Sequence, residues 1–226
     1  TCMTALRARG VRGINFDLMY GLPTQAIASL DGTLDEVIRL RPNRIALFGY
    51  AHLPAMFPRQ RRIDTAALPD AKARFEQAAH GYERLVREGY RAIGFDHFAL
   101  PDDPMAIAAE KGQLRRNFQG FTDDPADTVI GMGASAISMF PHMIVQNEKA
   151  AGAYRDLCGQ SRLSGVRGIR RCQGDQHRAK IIENLLCSGR ARIGTGWPQQ
   201  VQQALSQYQE MGLVQLAEDE VSIVDE

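Results

Sequence analysis

The chain has 226 residues, 44% of them hydrophobic and 23% charged, with a formal net charge of +1. That balance fits an ordinary globular protein of one large or two small domains, and the near-zero charge argues against a nucleic-acid surface built on basic excess. No apolar run reaches the ~18–20 residues of a membrane-spanning helix and no secretory leader is visible, so a cytoplasmic location without membrane or nucleic-acid partners is expected.

The first residues read as the end of a helix, already under way at Thr1 and closed by Arg7, Arg9 and Gly10. An abrupt start of this kind is expected of a piece of a longer protein. Residues 11–20 read as a short buried strand through Ile14, Phe16, Leu18 and Met19, and Gly21-Leu22-Pro23 turns the chain. Residues 33–40 place Leu34, Val37 and Ile38 on one helical face, and residues 44–49 form a second buried strand. Strand, loop, helix and strand at this spacing is the pattern of parallel βα units. A long helix opens at Pro69-Asp70, carries Phe75, Ala78, Ala79, Tyr82, Leu85 and Val86 at helical spacing, and stops at Gly89. Residues 90–98 are a third strand-like run, and 102–119 are polar and irregular around a short helix at 105–111. The Gly-rich apolar stretch 128–139 reads as a strand or hairpin with a close backbone approach.

Beyond about Gly165 the character changes. Residues 175–187 form a helix, and a second opens at Trp197-Pro198 and ends at Gly212. Residues 213–216 and 221–224 then pair as a two-stranded ribbon. Helices followed by such a ribbon suggest a small winged-helix-like domain over 165–226, after an α/β region over 1–150.

The four cysteines, Cys2, Cys158, Cys172 and Cys187, are too far apart for a CxxC knuckle or a cluster loop, so no metal ligands are assigned. Cys187 sits on an amphipathic helix and is expected to be a buried thiol. Asp17 lies near the end of the first strand, where βα folds carry their chemistry; it is able to bind a ribose or an amine, or to cap the next turn. His52 follows the second strand as a base, a ligand or a structural side chain. Asp96-His97 is either an oriented imidazole or a structural hydrogen bond. Gly131-Met132-Gly133-Ala134 lacks the third glycine and the following acid of a dinucleotide fingerprint. The excess of Lys and Arg between Lys149 and Arg192 suits DNA phosphates, carboxylates or plain solvent exposure.

Ile14-Asn15-Phe16-Asp17-Leu18-Met19-Tyr20-Gly21-Leu22-Pro23 resembles the late-barrel motif of radical S-adenosylmethionine enzymes of the coproporphyrinogen class, a motif shared with their haem-chaperone relatives. Tyr50-Ala51-His52-Leu53-Pro54, the run from Gly94 to Asp103, and Arg116-Asn117-Phe118-Gln119-Gly120-Phe121-Thr122 followed by the run from Gly131 to Ser138 narrow the resemblance. Together they resemble the C-terminal portion of the oxygen-independent coproporphyrinogen III oxidase family, and the likeness runs through nearly the whole chain.

The resemblance implies a partial TIM-like (β/α) barrel, a [4Fe-4S] cluster and two S-adenosylmethionine molecules. It also implies hydrogen abstraction from propionate side chains of coproporphyrinogen III by a 5′-deoxyadenosyl radical. Loss of CO₂ and an electron leaves a vinyl group, and two such steps give protoporphyrinogen IX in haem biosynthesis. Asp17 and Ala51 match family positions that contact the second S-adenosylmethionine, Ile137 a position that contacts the first, and Phe118 and Gln119 a segment lining the same cavity. Catalytic residues and the electron donor stay unassigned. The CxxxCxxC cluster motif and the glycine-rich cofactor segment of the family are not in this sequence. The 226 residues are therefore expected to be inactive alone and, unlike the usually monomeric family, to self-associate. The competing expectations are a haem chaperone, whose class lacks the Tyr-Ala-His-Leu-Pro and Asn-Phe-Gln-Gly stretches, and a DNA-binding module built on the tail.

Overall fold

The structure, a computed structural model, describes residues 2–194 and 197–224; Thr1, where the expected helix was to be under way, lies outside them. The chain forms two compact units, Thr1–Asp123 and Asp124–Glu226.

In the first unit α1 (Cys2–Ala8) precedes β1 (Asn15–Tyr20), α2 (Ile27–Leu40) and β2 (Arg44–Gly49). Two 3₁₀ turns, Pro58–Arg62 and Thr65–Ala67, lead to α3 (Ala71–Arg87), β3 (Arg91–Ile93), β4 (His97–Ala99), α4 (Pro104–Glu110), β5 (Arg115–Arg116) and β6 (Phe121–Thr122). β1 and β2 pair in parallel across α2, as the βα pattern predicts. Phe16, Leu18 and Tyr20 of β1 pack toward the helices, against a core of Leu30, Leu34, Ile45, Leu47, Leu85 and Phe98. By the alternation of strand side chains, Asn15, Asp17 and Met19 stand on the opposite face. α2 begins six residues before the expected start. Leu30, fully buried, extends the apolar stripe of Leu34 back by one turn, and the Ser29 hydroxyl accepts the Ala26 N–H at 3.1 Å. α3 starts where expected: the Asp70 carboxylate accepts the Ala73 N–H at 2.8 Å. α2 and α3 are clamped by His80 and Asp31 at 2.6 Å and by Arg84 and Asp35 at 2.7 Å.

The third strand-like run departs from the expectation. Gly94, at φ +62°, reverses the chain, so β3 and β4 form an antiparallel hairpin and β4 lies antiparallel on β2. The sheet order is β1-β2-β4-β3, and the parallel run stops at two strands.

The second unit contains β7 (Ile137–Phe140), β8 (Met143–Asn147), α5 (Ala151–Gly159), β9 (Gly165–Arg170), α6 (Gln173–Ser188), β10 (Arg190–Arg192), α7 (Gln199–Glu210), β11 (Val214–Ala217) and β12 (Glu220–Ile223). β7, β8 and β9 make one antiparallel sheet. The stretch 128–139 is mostly loop rather than strand. Val129 makes a lone bridge to Met139, and regular pairing starts only at Ile137. Its close backbone approach is real: a Cβ on Gly131 would lie 2.6 Å from the Ile137 carbonyl oxygen. The buried Asn147 amide donates to the Gly131 and Gly133 carbonyls at 3.0 and 3.1 Å, holding the loop in place. The terminal ribbon gains a third strand, because β10 pairs with β12 through Ala191 and Val221. Cys187 is only half-buried, because Ile181 is the single residue of α6 to reach the core. Among the described residues no helix is long and apolar enough to cross a membrane.

Candidate functional site

The parallel strands β1 and β2 end side by side, and the chain beyond them is fixed by side chains rather than by regular structure. The Tyr50 N–H donates to the Tyr20 carbonyl at 2.7 Å, tying the two ends together. The amide of Gln77, buried in α3, accepts the Gly21 N–H at 2.9 Å and donates to the Gln25 carbonyl at 2.7 Å. Gly21, at φ +79°, takes a turn that disfavours a side chain. The Arg74 guanidinium lies over Gly21 and Gly49, and a Cβ on Gly49 would meet its Nη2 at 2.9 Å and the Tyr20 ring at 3.1 Å. Neither Gln77 nor Arg74 stands out in the sequence. Gln77 sits among the apolar positions of α3, and the one available signal is a polar residue on the buried stripe.

Asp17 is exposed on the face away from the helices, and its carboxylate accepts from the Asn15 amide at 2.6 Å. Ala51 is exposed just past the end of β2, and its carbonyl accepts from Gln60 Nε2 at 3.0 Å. Gln60 Oε1 in turn accepts the Leu53 N–H. His52 Nδ1 lies 3.3 Å from the Tyr50 hydroxyl.

Phe118 and Gln119 are exposed at the tip of the β5–β6 hairpin. The tip is an Asx-type turn in which the Asn117 side chain accepts the Gln119 N–H at 2.8 Å and its backbone N–H reaches the Gly120 carbonyl at 3.0 Å. Register carries one more residue to Asp17's face. Asp17 pairs with Ala46 on β2, and Ala46 with His97 on β4, so the three follow one another across the sheet. His97 Nδ1 lies 2.5 Å from Asp96 Oδ1. A Cβ on Gly120 would sit 3.9 Å from His97 Nε2, which places the 117–120 turn beside the imidazole. Asp17, His97 and the Phe118-Gln119 turn therefore all belong to the first unit. Ile137 belongs to the second, where it opens β7 opposite Gln146.

On the helix side of the same strand ends a cavity of about 340 Å³ is lined by Tyr20, Gly49, Phe75, Tyr82, Phe95 and Phe98, among others. Among the described residues no group of three or more His, Cys, Asp or Glu is placed to hold a metal ion, and the four cysteines form no disulfide with one another.

No protein-family profile matches the chain. An oxygen-independent coproporphyrinogen III oxidase of Bradyrhizobium diazoefficiens is 48% identical over 189 residues, covering 84% of this chain and 42% of that protein. The chain is homologous to part of these oxidases. The oxygen-independent coproporphyrinogen III oxidase of Pseudomonas aeruginosa is 42% identical over 187 residues, 83% of this chain and 41% of its own length. Among solved structures, a coproporphyrinogen III oxidase from Escherichia coli, described as a radical SAM enzyme, superimposes with a TM-score of 0.86 at 34% identity. That match covers 98% of this chain and 54% of the bacterial one. The chain thus spans about two-fifths of the length of the curated oxidases, matching their C-terminal part.

Proposed function

We propose that these residues are the C-terminal part of an enzyme that converts coproporphyrinogen III to protoporphyrinogen IX by oxidative decarboxylation of two propionates. Residues 1–150 would supply the later part of a partial (β/α) barrel and 165–226 a winged-helix-like domain. The observation that carries this reading is the 34% identity and 0.86 TM-score over 98% of the chain to an oxidase described as a radical SAM enzyme. A cytoplasmic location belongs to the same reading.

The residues present fit S-adenosylmethionine but not the cluster. Asp17 offers an exposed carboxylate for hydroxyl or ammonium hydrogens, Ala51 its N–H, and Phe118 and Gln119 an aromatic wall and an amide. Ile137 would serve a separate S-adenosylmethionine from the second unit. S-adenosylmethionine supplies, when bound, the capacity to abstract hydrogen from a propionate. This chain's residues contribute binding and orientation. The cluster finds no ligand set among the described residues.

A chimera tests the assignment. These 226 residues replace the matching part of the Bradyrhizobium diazoefficiens oxidase, and the product is assayed anaerobically for protoporphyrinogen and CO₂. Turnover that is lost in Asp17→Ala supports both the reaction and the Asp17 role. A folded chimera that binds haem and yields no product moves the chain to the haem-chaperone class. The 226 residues alone are expected to show no iron–sulfur absorption band after anaerobic reconstitution, and a stable band would refute the placement of the cluster elsewhere.

A further inference from the structure

Asp96 and His97 form an oriented carboxylate–imidazole pair in the first unit that has no part in the proposed S-adenosylmethionine contacts. Both side chains are about four-fifths buried, at 19% and 20% exposure, and the Nδ1 to Oδ1 distance is 2.5 Å. The Asp96 carboxylate engages Nδ1 and so fixes the orientation of the ring. Nε2 is then the working atom, and among the described residues it has no protein hydrogen-bond partner. Two independent placements put that atom at the site. Sheet register sets His97 on the face of Asp17, two strand spacings or roughly 10 Å across the sheet. Gly120 sets the 117–120 turn, with Phe118 and Gln119, beside the same imidazole edge. The surroundings are otherwise apolar or cationic. The Phe121 ring stands edge-on to His97 at 5.4 Å, with the Arg116 guanidinium on the Phe121 ring at 4.8 Å, and Ile93 is the β3 partner of His97. Asp96 on the Nδ1 side and Asp17 beyond Ala46 are the acids that share this region.

Building on the proposed function, we infer that His97, backed by Asp96, binds a carboxylate of the ligand held at the Asp17 face. A protonated imidazole presents Nε2–H as a charge-assisted donor, for which a carboxylate is the complementary acceptor. Two ligands of the proposed reaction carry one: the amino-acid end of S-adenosylmethionine and the propionates of the tetrapyrrole.

The experiment measures affinity with the chimera of these 226 residues and the Bradyrhizobium diazoefficiens oxidase. The probes are S-adenosylmethionine against decarboxylated S-adenosylmethionine, and coproporphyrin III against its tetramethyl ester. The expected result is that His97→Gln weakens one carboxylate-bearing probe about tenfold and leaves its carboxylate-free partner unchanged. Asp96→Asn keeps the imidazole but removes the carboxylate that orients it, and is expected to weaken the same probe by a smaller factor, which provides a second variant should His97→Gln not fold. The probe that responds identifies which carboxylate is bound. Affinity for both acids that is insensitive to His97→Gln and to Asp96→Asn overturns the inference and leaves the proposed function standing. Failure of the unaltered chimera to bind either acid overturns the proposed reading of the site, and this inference with it.

Discussion

Single residues set the tightest constraints where the backbone departs from regular structure. Gly94 turns the chain between β3 and β4 with φ +62°, and a Cβ there would lie 2.1 Å from Phe121 Cζ. Gly94→Ala combines left-handed strain with a ring displacement and is expected to cost about 2–4 kcal/mol in denaturant unfolding. Asp175, at the start of α6, shows a different kind of constraint. Its carboxylate is hydrogen-bonded by the Cys172 thiol, then by the Cys172 N–H at 3.0 Å and Arg178 at 2.7 Å, which hold its pKa at about 2. Because this folded value lies below the ordinary 3.8, the stabilisation is complete above the ordinary range and is lost as pH falls toward about 2. Melting curves between pH 5 and 2 are expected to show an acid loss of stability that is smaller in Asp175→Asn. The sequence places Gly94 inside a strand-like run and at the head of a family-like stretch, but its role as a chain reversal was not legible, because the ring that fills its side-chain space comes from Phe121, distant in the chain.

Elements that the sequence spells out locally form as read, and those that depend on partners do not. β2 matches its expected limits of 44 and 49, and α3 its expected start with the N-cap at Asp70, because burial pattern and cap both lie within a few consecutive residues. The direction of β4 was not legible, since parallel and antiparallel partners of a buried strand have the same apolar run. The candidate site divides in the same way. Asp17 and the Asp96-His97 pair were singled out from strand ends, whereas their shared face follows only from the register through Ala46. Gln77 shows how a helix can govern a loop at a distance. It holds Gly21 and Gln25 from α3, more than fifty residues away in the chain. Gln77→Leu leaves two backbone groups without a partner and is expected to cost about 2–3 kcal/mol. Hydrogen exchange at Gly21 is the specific readout, and it should accelerate more than exchange in the β1 and β2 strands.

At the scale of the molecule, apolar surface remains uncovered in each unit. Phe75 is 74% exposed on α3, while Met132 and Leu163 in the second unit are 89% and 95% exposed. Together with the unpaired edge of β1 in its sheet, this favours association. Light scattering across a concentration series is expected to show growth beyond the monomer, and a clean monomer throughout would count against it. The two edges of the four-stranded sheet are unlike in length and in direction. On one side the hairpin has already reversed the chain, leaving β3 with three residues. On the other, β1 offers six residues whose parallel sense is set by β2. The sheet therefore has a polarity of growth: a further parallel strand of full length is templated only beside β1. Any such newcomer would inherit the alternation of β1, sending every second side chain to the face that carries Asp17 and the rest to the face that meets the helices.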